Sequence, residues 1–182
     1  MKVYILSSED MVVGYIGEGS TAELSSMWQS PFENQSVGGL LGGISAAAGS
    51  LADTLQTATG VTTKTLFNSM LVWEGQQPPE FNLVIDFMAT VNAQLEVNAA
   101  ITALLKMESP ELNNVAPFGR RPETVTLNIG RNIALTDVVI KSMSYQLDAP
   151  RTPEGYFTHN TVTLQCSGNT SINRSNISSV FV

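Results

Sequence analysis

Apolar and polar residues alternate over several stretches of this chain, and the alternation predicts most of its strands. Phe81, Leu83, Ile85 and Phe87 interleave with Asn82, Val84, Asp86 and Met88, a period of two that turns one face of a strand toward a core. Phe67, Leu71 and Trp73 share a face of an earlier segment, 64–73, and Trp73 reads there as core. Between the two lies Glu74-Gly75-Gln76-Gln77-Pro78-Pro79, a run poorly suited to a hydrogen-bonded ladder. The pattern therefore predicts an antiparallel hairpin of 64–73 with 80–89. Further on, Val125, Leu127 and Ile129 alternate with polar neighbours, and Gly130-Arg131-Asn132 reads as a turn. Val139, Met143, Tyr145 and Leu147 mark one face of a long strand over 133–148. Val162, Leu164 and Cys166 alternate with Thr161, Thr163 and Gln165 in a last strand. Near the start, Lys2–Leu6 and Met11–Ile16 flank the polar Ser7-Ser8-Glu9-Asp10 and predict a hairpin.

The period changes once. Val97, Ile101, Leu104 and Leu105 fall on one face of a helix, with Asn92 as its N-cap and Pro110 just past its end. Burying four such side chains contributes on the order of 6–12 kcal/mol before chain entropy is subtracted. One helix among strands joined by long loops predicts an α+β fold: an antiparallel β-barrel or sandwich with one flanking helix.

These elements divide the chain into an N-terminal β-hairpin or arm at 1–36, a Gly/Ala-rich insertion at 37–63, the main domain at 64–171 and a C-terminal arm at 172–182. The insertion, VGGLLGGISAAAGSLADTLQTATG, could carry a helix along Ile44, Ala48, Leu51 and Leu55. Its glycines do not make a phosphate-binding loop, because no Gly-Lys-Ser/Thr follows and no base lies near. An insertion that orders against a neighbour fits better.

Composition narrows the functional classes. Charged residues make up 14% and hydrophobic ones 43%, so a core is affordable while the surface is largely Ser, Thr, Asn, Gln and Gly. Sixteen acids oppose nine bases, for a net charge of −7. Nucleic-acid affinity rests on Lys and Arg displacing counterions, so a basic groove is not expected, least of all over residues 1–63, where Lys2 is the single base. No apolar run reaches the length of a membrane span, so no membrane insertion is expected. The opening residues lack a secretion-signal pattern, and a soluble protein made in the cytoplasm is expected. One Cys and one His leave no internal disulfide and no Cys/His zinc set, and neither a cofactor nor a metal is expected.

Candidate chemistry is sparse. His159 opens the last strand and Cys166 sits on its apolar face, where a thiol behaves as a small hydrophobe. Glu74 and Glu80 bracket a loop and Asp86 lies opposite Phe87, but no two acids are placed across a cleft as glycoside hydrolysis requires. An enzyme is not expected; a cell-wall hydrolase is the weakest of the alternatives. Interface candidates remain: Trp28 in a Gln/Ser-rich segment, the basic pair Arg120 and Arg121 as an ion-pairing point, and Phe181 in the apolar run Ser179-Val180-Phe181-Val182.

Trp73-Glu74-Gly75, Pro79-Glu80-Phe81-Asn82-Leu83, Phe87-Met88-Ala89, the helix ending Leu104-Leu105-Lys106-Met107-Glu108-Ser109-Pro110 and the run Val138-Val139-Ile140-Lys141-Ser142-Met143-Ser144-Tyr145 together resemble the tube-type domain of contractile-tail baseplate proteins. Gly155 and Thr161-Val162-Thr163-Leu164 continue the likeness, which spans about 105 residues of apolar, Gly and Pro positions. The resemblance implies a tail-tube-type barrel whose copies close into a homo-hexameric ring. It implies a structural role in the virion, at the tail baseplate, joining the central hub to the tail tube and initiating tube polymerisation. The implied partners are hub and tail tube proteins and the tape measure protein, with DNA passing through the lumen unbound. The main tail tube protein, or a tube component of a related injection system, is the near alternative. A negative wall would let DNA slide, and Glu74, Asp86, Glu123 and Asp137 are candidates to line it.

Overall fold

The computed structural model describes residues 1–30, 70–112 and 119–181. The chain divides into two units, Met1–Ser25 with Gln77–Val182, and Ser26–Gln76. The insertion at 37–63, Phe67 and most of the linker before Arg120 lie outside the described residues.

The first unit is a closed six-stranded antiparallel barrel. Its strands are β1 (Lys2–Leu6), β2 (Met11–Ile16), β6 (Glu80–Met88), β7 (Val125–Ile129), β8 (Ile133–Tyr145) and β9 (His159–Gly168), with the short β3 (Thr21–Glu23) laid along β6. The order runs β2-β1-β7-β8-β9-β6, and β6 returns to β2. The N-terminal hairpin, set apart in the sequence as an arm, thus supplies two strands of the barrel wall. Closure rests on Tyr15 opposite Asp86 and Ile16 opposite Ile85. Beyond that crossing, β3 takes over from β2, with Thr21 opposite Asn82 and Glu23 opposite Glu80. Ser20 bridges the changeover. Its hydroxyl accepts the Val84 N–H at 2.9 Å and lies 3.2 Å from the Val84 carbonyl, while the Gly17 N–H donates to that carbonyl at 2.7 Å.

In its described part, residues 70–73, the predicted hairpin of 64–73 with 80–89 does not form. β6 pairs along its whole length with β9, from Glu80 opposite Ser167 to Met88 opposite His159. Both strands alternate strictly and turn Phe81, Leu83, Ile85, Phe87, Val162, Leu164 and Cys166 inward, a match that a sequence-adjacent partner did not offer. The run expected to be loop contains β5 instead (Val72–Gln76).

β8 departs from its expected face. Val138 and Ile140 are buried in place of Val139. Two irregularities shift the phase, one opposite Val125–Leu127 and one between Ile140 and Ser142. At the first, Asp137 takes a left-handed backbone, φ 61°, which Asp tolerates better than most residues. The predicted turn at Gly130-Arg131 is present with positive φ at both residues, 57° and 67°, the twist that suits a tight hairpin.

The helix begins with a π-helical turn, Gln94–Asn98, and continues as α1 (Ala99–Glu108). Asn92 caps it as expected: its Oδ1 accepts the N–H groups of Gln94 (3.0 Å) and Leu95 (3.2 Å). Val97, Ile101, Leu104 and Met107 are buried, whereas Leu105 is 37% exposed; the apolar stripe steps from Leu104 to Met107. α1 packs against β2 and β8. The C-terminal segment folds back rather than extending: Ile172 and Val180 are buried, α2 (Ile177–Val180) is one short turn, and Phe181 bridges to Ile133.

The second unit, in its described part, is a two-stranded ribbon of β4 (Ser26–Gln29) and β5. Trp28 stands directly opposite Trp73, and an irregularity between Met27 and Trp28 leaves Glu74 without a counterpart on β4.

Candidate functional site

The barrel wall is incomplete at one place. β2 pairs with β1 over its whole length, but with β6 only at Tyr15 and Ile16. Toward Met11 the two strands splay apart, and among the described residues no strand pairs with Met11–Gly14 on that side. Gly14 marks the tightest point. A Cβ there would collide with Ile85 and lie 2.9 Å from the Phe87 ring, so only glycine fits where the wall begins to open.

A groove of about 520 Å³ follows this opening. β2 forms one bank, and the helix the other, through Leu95 of the π-turn and Ala99, Ala100 and Ala103 of α1. Phe87 and Met88 also line it. Its rim is mixed: the exposed apolar side chains Met11 (64% accessible), Met88 (62%) and Leu95 (67%) stand beside Asp10, Asp86 and Glu96. Lys2 lies at the same rim, 5.9 Å from the Tyr15 ring centroid.

Glu96 orders the far lip. Its carboxylate accepts the N–H groups of Thr90 (2.6 Å), Val91 (2.9 Å) and Asn92 (2.9 Å) and the Thr90 hydroxyl (2.9 Å). These bonds, the Thr90 backbone first, hold its pKa down at about 2. The reach back to Asn92 resembles a capping box one residue longer than usual, as the wider π-turn allows.

Catalytic groups are not brought together here. His159 and Cys166 lie on opposite faces of β9, seven residues apart, or roughly 23 Å along the strand. Cys166 faces the core, and burial pushes its thiol up to about 12. Asp86 accepts the Thr161 hydroxyl at 2.6 Å, and Glu80 pairs with Lys141 on the surface. Among the described residues no cluster of three or more His, Cys, Asp or Glu is arranged to hold a metal ion. No described helix is long and apolar enough to cross a membrane.

The residues expected at interfaces separate. Trp28 is 54% exposed on the ribbon, and Trp73, expected in the core, is equally exposed beside it. Among the described residues, the two-stranded ribbon has no second layer of its own to bury an indole. Arg120 and Arg121 share a small cleft with Glu9, Asp10, Glu111 and Glu123 of the same chain, and Arg120 exchanges backbone hydrogen bonds with Glu111 at 2.8 and 3.2 Å. Phe181 is half-buried against its own barrel core. Two asparagines escaped the sequence reading. Asn160, fully buried, binds the Gln146 backbone through both side-chain atoms (2.9 and 3.1 Å). Asn98 accepts the Phe157 N–H at 2.8 Å, tying the 149–157 loop to the helix. A polar residue interrupting an apolar stripe was the available signal for both.

No protein-family model matches the chain, and no curated protein sequence matches it.

Proposed function

We propose that this chain is a structural subunit that assembles with copies of itself into a ring. Its place is then the tube-type position of a contractile tail or related injection apparatus, where it joins the hub to the tube and starts tube growth. The observation that carries this reading is the edge of β2 at Met11–Gly14, unpaired among the described residues, beside a groove rimmed by exposed Met11, Met88 and Leu95. Unpaired strand edges and apolar patches on an isolated molecule are aggregation hazards unless a specific partner covers them, and ring closure covers them with sister copies. Barrel closure at Tyr15–Asp86 meets most of the backbone demand within one copy, so the surfaces left for assembly are narrower than the alternating strands alone implied. The net charge of −7 accords with a wall that DNA passes without binding.

Electron microscopy and light scattering of the purified chain test this. Rings, or tubes on mixing with tube subunits, are expected, together with no tight salt-sensitive DNA binding. A chain that stays monomeric at every concentration and turns over a cell-wall substrate overturns the reading.

A further inference from the structure

The chain's two tryptophans stand opposite each other on the ribbon, and the barrel carries the groove between β2 and α1. The geometry points to a contact in which the Trp28–Trp73 pair of one copy seats in the groove between β2 and α1 of a second copy; this rests on the self-assembly proposed above.

Both indoles are 54% exposed, and two-stranded ribbons are marginal in water without further packing. Paired aromatics on such a ribbon are the residue type that dominates binding energy at interfaces. The groove suits them. Ala99, Ala100 and Ala103 leave it depth, and Phe87 and Met88 give it an apolar lining. Its volume of about 520 Å³ lies in the range of sites that enclose a compact apolar group.

Its rim also carries hydrogen-bonding groups. The Ile16 N–H donates to Met1, on the β1 side, whereas the Gly17 N–H donates to Val84, on the β6 side. By strand alternation, Met11 and Val13 direct their backbone groups toward β6, where they have no strand partner among the described residues. Each presents one carbonyl acceptor and one N–H donor there, and Asp10, Asp86 and Glu96, which also line the groove, add acceptors. Indole offers an apolar body with a single N–H donor and no acceptor, so it can fill the groove and bond to its rim. Patch and groove are made of different residues of one kind of chain, which makes the contact head-to-tail; repeated, it closes a ring or runs into a filament.

Because Trp28 and Trp73 are the only tryptophans, intrinsic fluorescence reports on this contact. With rising concentration of the full chain, emission shifts to shorter wavelength in step with the mass seen by light scattering. Ala99→Phe fills the groove from an exposed helix position, weakens association at least about tenfold and holds emission at long wavelength. Trp28→Ser weakens association to a similar degree. Should Ala99→Phe fail to fold, Leu95→Arg at the exposed lip makes the same measurement. Rings that form with unchanged emission, or equally well in the groove variant, overturn this contact and leave the ring reading standing. A chain monomeric throughout overturns both. Short-wavelength emission already present in the dilute monomer overturns the contact, because the indoles are then covered within one copy.

Discussion

The barrel and the ribbon solve the same backbone problem to different extents. In the barrel, each strand finds a partner on both sides, and the last pairing joins β6 to β2 at Tyr15 and Ile16. Its inward residues, such as Val3, Leu127, Val138 and Leu164, are wholly inaccessible. The ribbon has one described pairing and shows Trp28, Val72 and Trp73 to solvent. Burial that is complete within one chain stabilises a fold; apolar surface left outside is available for association. The comparison therefore separates residues that hold the subunit together from residues free to join subunits.

The sharpest way to break that separation is a pair of truncations. Leu164→Ala removes a fully buried side chain opposite Leu83 and Met143 and is expected to destabilise the barrel by about 2–5 kcal/mol in denaturant unfolding. Trp28→Ala removes a larger side chain from the ribbon, yet is expected to leave barrel unfolding within about 0.5 kcal/mol of the parent. Equal losses would mean that the ribbon belongs to the stabilising core.

Gly14→Ala comes next. The added methyl meets Ile85 and Phe87 at the point where β2 leaves β6, and Phe87 is itself buried. Overpacking of this kind costs about 1–3 kcal/mol, and the loss appears in thermal unfolding. Ser20→Ala probes the other side of the crossing. It leaves the Val84 N–H without the hydroxyl it donates to, for an expected loss of about 1–2 kcal/mol and faster amide exchange at Val84.

These sites also show what sequence could and could not reveal. The inward faces of β6 and β9 were legible because neither strand is interrupted, so a period of two holds from end to end. The face of β8 was not, because Val138, Val139 and Ile140 are all apolar and bulges near Asp137 and at Lys141 reset the alternation. Pairing was the least legible feature. Period fixes which face is apolar but not which strand lies beside which, so β6 was matched to its neighbour in sequence instead of β9. Trp28 was recognisable as exposed from its polar neighbours Gln29 and Ser30. Trp73 was not, since Leu71 beside it continues an apolar pattern, and only its place on a ribbon with no second layer among the described residues brings it out. The groove was invisible for a related reason: it exists where β2 and β6 diverge, and divergence is a property of two strands together.

The smallest expected effect tests whether the groove's lip is built in advance. Glu96 is solvent-exposed, so screening limits what its carboxylate contributes. Its four hydrogen bonds nonetheless bring its pKa from 4.5 to about 2. A carboxyl depressed on folding adds stability above its unfolded pKa and loses it as pH falls through the folded value. Glu96→Gln is therefore expected to lower Tm slightly at neutral pH. The difference from the parent narrows as pH falls from about 4.5 to about 2 and vanishes below. The amide cannot accept from Thr90, Val91 and Asn92 with the same charge-assisted strength, so the 90–92 turn exchanges its amides faster while barrel amides do not. A Tm difference that stays constant across that pH window would show that the carboxylate's charge is not what orders the lip.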